Sequence, residues 1–124
     1  MAKKDALSAF LSADINVKQG VPIKRLGIDL TVKAIDGKTI ARLTEQATHG
    51  KTLDEQKFGA LVIATACVDL NFGDAKMLEK YEASDAGDCV QKALLAGEIA
   101  KLTQAIMEIS GFDDINAQID NAKN

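Results

Sequence analysis

Several groups of residues in this chain have types that could do chemistry, and their spacing decides whether they can. The tripeptide Gly-Lys-Thr occurs twice, at Gly37 to Thr39 and at Gly50 to Thr52. A phosphate-binding loop needs another glycine five residues ahead of this one, so that successive backbone N–H groups can curl round the phosphates. Val32 and Glu45 stand at those places. Each segment therefore reads as a turn followed by a helix start. His49, the only histidine, sits beside Gly50 in an expected exposed turn, with no sequence cue for a carboxylate to orient it as a general base. Cys67 and Cys89 are too far apart for a Cys-x-x-Cys metal or redox site and are expected to be reduced. The acidic pairs Asp54-Glu55 and Asp113-Asp114 fall at helix starts, where the helix dipole accounts for them, and no run of carboxylates has the register of a calcium loop. No catalytic residue, metal ligand or cofactor is expected. The pattern is that of a non-enzymatic binding protein.

Composition narrows the class. With 124 residues and 47% hydrophobic content, the chain is long enough for one core and short for two, so a single domain over 1–124 is expected. The net charge of −3 hides an asymmetry. Residues 1–51 carry nine basic and five acidic side chains, whereas 52–124 carry six basic and thirteen acidic ones. A basic N-terminal half offers an alternative function, a small DNA-binding or regulatory protein. Its single aromatic residue, Phe10, gives little to stack a base on, so no nucleic-acid partner is expected. Lys3 and Lys4 resemble the start of a signal peptide, but Asp5, Ser8 and Ser12 break up the next stretch before an apolar core can form. The longest apolar run, Phe58 to Val68, is far short of the roughly 20 residues that cross a bilayer. No membrane partner is expected, and the expected location is cytoplasmic, in the bacterial host cell.

The elements that position these residues are set by periodicity. Asp5 to Leu11 reads as a short helix with Leu7, Phe10 and Leu11 on one side. Val21 to Ile23 and Ile28 to Ala34 alternate with period two and predict a hairpin turning at Arg25-Leu26-Gly27, with Pro22 marking its first strand as a sheet edge. Helices are expected over Thr39 to Thr48, from a Thr52–Glu55 capping box to about Val68, and from Asp74 to Tyr81. The second of these has a second half that is apolar nearly all round, and it is expected at the centre of the core. Ser84 to Phe112 reads as one long helix, capped by Ser84 and stopped by Gly111 with Phe112 folding back. Leu95, Ile99, Leu102, Ile106 and Ile109 step by four and three along it, giving one apolar face that either packs in the core or binds a partner. Gly97 reads as a point of close backbone approach, with a notch for a docking partner as the second reading. Residues 113–124 read as a frayed tail. The fold class is α+β, mainly α, with about five helices and an N-terminal β-hairpin.

The order of these features resembles the phage tail assembly chaperones of the XkdN-like kind, found in prophages of Gram-positive bacteria. The resemblance is carried by the short N-terminal helix ending Phe10-Leu11, the turn Lys33-Ala34-Ile35-Asp36-Gly37 and the helix start Asp54-Glu55-Gln56-Lys57-Phe58. It continues through Asp69-Leu70-Asn71-Phe72, with Leu70 where the family often has proline, to Leu94–Phe112, LLAGEIAKLTQAIMEISGF. It implies a chaperone that binds the tail tape measure protein, helps to recruit tail tube protein, and is absent from the mature virion. Relatives are often made in a longer form by a −1 frameshift. The codons of Ala122-Lys123-Asn124 could form the slippery heptamer, which the gene sequence would settle. A homo-oligomer is also compatible with the exposed hairpin edge.

Overall fold

Aspartate side chains set where most of the helices begin. The computed structural model describes residues 5–13 and 17–112. Among them are helices α1 (Ala6–Ser12), α2 (Gly37–Gln46), α3 (Glu55–Ala66), α4 (Ala75–Tyr81), α5 (Ala86–Ala93) and α6 (Ala96–Ile109). The first turn of a helix leaves backbone N–H groups without partners, and a short carboxylate just ahead of it can accept from them. Asp5 accepts from Ser8 at 2.9 Å, Asp36 from Thr39 at 2.9 Å, Asp54 from Lys57 at 3.1 Å, Asp74 from Lys76 at 2.9 Å and Asp85 from Asp88 at 2.8 Å. The backbone donors at Ser8 and Thr39 hold the Asp5 and Asp36 carboxyls below the ordinary carboxylate range. Two expected caps move by this rule. Asp85, not Ser84, caps α5, while Ser84 donates its own N–H to Asp88 at 2.9 Å. Asp54, not Thr52, caps α3, because Thr52 lies in a small hairpin between β3 (Thr48–His49) and β4 (Thr52–Leu53).

The larger hairpin pairs β1 (Lys18–Ile23) with β2 (Ile28–Lys33), antiparallel, Val21 opposite Leu30. Its turn is one 3₁₀ stretch, Lys24–Leu26, closed by Gly27 in the left-handed region. Val21, Ile23, Leu30 and Val32 are buried, as the alternation requires; Ile28, expected to face inward with them, is about half exposed at the turn end. The far side of β2 is taken by the chain leaving α3: Val68 donates to Thr31 at 2.8 Å, and Val32 bridges Cys67. Among the described residues no strand pairs with the outer edge of β1, where Pro22 sits, as its missing N–H predicts.

Helix α3 is the centre. Ala60, Val62, Ile63 and Ala66 are fully buried, and α5, α6, α2 and β2 all pack against it. Its β-branched residues suit a strand as well, but the cap at Asp54 and neighbours on every side hold it helical. The single helix expected over Ser84–Phe112 is instead α5 and α6, with Leu94 and Leu95 extended between them. A straight helix of that length would run about 43 Å at 1.5 Å per residue, well over twice the length of α3. Breaking it lets both halves lie against α3, and buries Leu94 at the bend. The break accounts for six helices where about five are expected. Gly97, expected mid-helix and tightly approached, lies in the first turn of α6 with open space around it. The tightest approach is at Gly59 on α3, where a Cβ would lie 3.2 Å from Thr103 Oγ1 and 3.6 Å from Ile99 Cγ2.

The end of α6 has the expected stop. Phe112 N–H donates to Met107 at 3.0 Å and Gly111 N–H to Glu108 at 3.1 Å, with Gly111 at φ +99. Residues 113–124, expected to form a tail, lie outside the described residues. A side chain at Gly111 strains this backbone conformation, so Gly111→Ala should lower stability by about 1–2 kcal/mol. Urea unfolding at constant slope measures the loss.

Candidate interaction surface

Among the described helices α6 is the one without an aspartate cap, and its own Glu98, held by a residue from the hairpin, accepts at its start instead. Glu98, in the first turn, turns back and accepts from Leu95 N–H at 2.8 Å. Arg25 holds that carboxylate from both sides, Nη2 donating to Oε1 at 2.8 Å and Nε to Oε2 at 3.0 Å, while Nη2 also donates to Ala93 O at 3.1 Å. One guanidinium thus ties the last carbonyl of α5 to the first turn of α6. The paired geometry lowers the Glu98 pKa, chiefly through Arg25 and then through Leu95 N–H, and raises that of Arg25. Lys101 Nζ adds a bond to Pro22 O at 2.9 Å, on the same side of α6. At the other end, Ser110 Oγ accepts from Ile35 N–H at 2.9 Å.

The structure divides the five residues of the expected apolar face. Leu102 and Ile106 are fully buried in the core, packed with Val62, Ile63 and Leu30 in one hydrophobic cluster. Ile99 and Ile109 are partly buried against it. Leu95 is 58% exposed, in the extended link before α6. The bend at Leu94 to Leu95 is the reason. It turns Leu95 away from the line that the other four residues share, so the face is core over its C-terminal part and open at its N-terminal end.

At that open end lies a groove of about 710 Å³ between the N-terminal halves of α3 and α6. Leu53 and Phe58 line one side, Ile99, Ala100 and Thr103 the other, and Leu94 reaches it from the bend. Gly59 lets the two helices approach closely at its floor. Glu55 is the only charged residue among those lining it; glutamines 56, 91 and 104 supply most of the polar edge. The Thr103 hydroxyl in the wall is buried and has no hydrogen-bond partner among the described residues. The sequence gives weak notice of this groove, because its lining comes from three separate segments and only Ile99 among the lining residues belongs to the periodic face.

The residues that invited chemistry remain apart. His49 is exposed in β3, and both Gly-Lys-Thr segments are structural, one opening α2 and the other in the β3–β4 turn. Cys89 is buried and Cys67 half-buried, and burial pushes both thiols up. Among the described residues no group of three or more His, Cys, Asp or Glu side chains could hold a metal ion. None of their helices is long and apolar enough to cross a membrane.

Comparison with known proteins decides the family. The model of the phage XkdN-like tail assembly chaperone proteins matches residues 7–123, nearly the whole chain. The chain belongs to this family. Among solved structures, the crystal structure of the protein yqbn is similar, with a TM-score of 0.69 and 26% identity over 90% of this chain and all of that one. A search of curated proteins finds no match. For this tail assembly chaperone the apolar groove is accordingly the feature to explain, since a chaperone acts by covering another chain.

Two substitutions separate core from surface. Leu102→Ala should cost about 2–5 kcal/mol by removing buried methylenes and leaving a cavity, while Leu95→Ala should cost under about 1 kcal/mol. Chemical unfolding of both variants reads the contrast. The Glu98 pair predicts a pH dependence. A carboxyl whose folded pKa lies below its unfolded value of about 4.3 contributes stability above that pH and loses it as pH falls through the folded value. The stability gap between the wild-type chain and Glu98→Gln should therefore be widest near neutral pH and shrink below about pH 4. Thermal melts across that range measure it.

Proposed function

We propose that this chain acts as a non-enzymatic chaperone in the host cytoplasm, working as one domain that binds the tail tape measure protein and helps to bring tail tube subunits to it. The family supplies the coarse role. The observation that supports the finer one is the open groove, apolar and nearly free of charge, between α3 and α6. A tape measure protein is long and rich in amphipathic helix, and such a helix buries its apolar stripe in a groove of this kind. Ile99 then meets the client inside the groove and Leu95, exposed in the link before α6, meets it from outside, while Leu102, Ile106 and Ile109 hold the wall in place. The groove is formed by residues of the acidic half of the chain, whose charge keeps a chaperone–client complex soluble and repels further copies from non-specific contact. Tail tube recruitment through a longer, frameshifted form fits the same scheme, since it leaves the groove for the tape measure.

Co-expression with the tape measure protein encoded nearby tests the proposal. The expected result is soluble tape measure recovered in a complex with this chain. Ala100→Arg, at an exposed position on the groove, should leave the melting temperature close to that of wild type and abolish the complex. A tape measure protein that stays insoluble in the presence of the wild-type chain would overturn the proposal.

A further inference from the structure

The bend between α5 and α6 contains no residue that requires it. Leu94 and Leu95 are both extended, at φ −111 and −74, although leucine is among the best helix formers and the only proline of the chain is Pro22. A continuous helix through this point would join the carbonyls of Gln91, Lys92, Ala93 and Leu94 to the N–H groups of Leu95, Ala96, Gly97 and Glu98. Arg25 and Glu98 supply substitutes for part of that ladder. Arg25 Nη2 donates to Ala93 O at 3.1 Å, and Glu98 Oε1 accepts from Leu95 N–H at 2.8 Å. The N–H groups of Ala96 and Gly97, in the first turn of α6, have no carbonyl of their own helix ahead of them.

Helix α6 is also separable from α5. It packs on α3, β1 and β2 and only lightly on α5. Its long-range bonds beyond the bend, Lys101 Nζ to Pro22 O and Ile35 N–H to Ser110 Oγ, both reach segments that precede α3. A second copy of this chain offers all of these partners in the same arrangement.

We propose that the α5–α6 link is a hinge, and that two copies of this chain exchange α6 across it. In the exchanged form residues 86–109 are one continuous helix; α5 stays on its own α3, and α6 takes the place of α6 on the α3 and hairpin of the other copy. That form uses the whole apolar line from Leu95 to Ile109, whose spacing carries no break at the bend. The two long helices pass each other near their middles, where Leu95, exposed in the single chain, meets its mate. The exchange is two-fold and closed, so it stops at the dimer. The core is covered by the same elements in both forms and favours neither. The Arg25–Glu98 pair and the entropy of keeping two chains apart favour the bent monomer, and the regained helix bonds favour the dimer. The exchange does not depend on what the groove binds.

The purified full chain, refolded from urea at high micromolar concentration and followed by sedimentation equilibrium, tests the exchange. The dimer dissociation constant should fall about tenfold or more in Arg25→Ala and in Glu98→Ala, each of which removes one side of the pair. The Arg25 side chain is 40% exposed, so its loss leaves the core intact. Ala96→Pro should abolish the dimer, alone and combined with Arg25→Ala. Proline fits the first position of α6 and keeps Leu95 extended, whereas in a continuous helix it loses the bond to Lys92 O and clashes with that carbonyl. Amide exchange separates this dimer from a side-by-side one, because Ala96 and Gly97 N–H gain partners only in the continuous helix; both should exchange about tenfold or more slowly in the isolated dimer than in the monomer. Arg25→Ala and Glu98→Ala chains that stay monomeric throughout overturn the exchange. So does a dimer that survives Ala96→Pro, or one whose Ala96 and Gly97 amides exchange as fast as those of the monomer.

Discussion

A helix segment that is apolar nearly all round must be covered nearly all round, and the second half of α3 sets that requirement for the rest of this chain. Ala60, Val62, Ile63 and Ala66 have no exposed surface, and no one neighbour could achieve that. The hairpin reaches α3 through β2, α2 covers another side, and α5 and α6 divide the remainder. Burial on this scale is the main favourable term available to a chain of 124 residues, so the other elements adjust their lengths and angles to it. The break between α5 and α6 is the clearest adjustment. A continuous helix would keep its local hydrogen bonds and leave part of α3 in water; the bend gives up a few of those bonds and covers it.

The bend then needs partners for the groups it frees, and it finds them at long range. Five helices are capped by an aspartate next to them in sequence, but the start of α6 is stabilised by its own Glu98 held by Arg25, 73 residues away. The same guanidinium satisfies Ala93 O, at the end of α5. The hairpin is therefore more than a cover for α6. Through Arg25 it ties the end of α5 to the start of α6, and Lys101 adds a bond from α6 to Pro22 O.

The proposed role rests on the groove between α3 and α6. Under the proposal its surface has to be apolar, preformed and tolerant of sequence, because helical clients would present their stripes in many variants. Here rigidity comes from buried Leu102 and Ile106 behind the wall, and tolerance from a lining of small and apolar side chains edged by glutamines. Charge is kept away from the floor and spread over the acidic half around it.

Much of the local architecture can be read from the residues alone. Alternation placed Val21, Ile23, Leu30 and Val32 inward, the missing N–H of Pro22 put β1 at an edge, and Gly111 followed by Phe112 ended α6, because each of these depends on neighbours within a few positions. The ordered series of short motifs was enough to point to the family, which the match over residues 7–123 bears out. Tertiary structure alone decided the bend at Leu94 and Leu95. Nothing in the periodicity of Ser84–Phe112 is interrupted there, and the reason to bend lies in α3 and Arg25, distant in sequence. It also decided which of the five seam residues are core. Spacing shows that side chains share a line along a helix; whether that line meets another helix or an open groove depends on what is packed opposite, and that is settled only when the whole chain has folded.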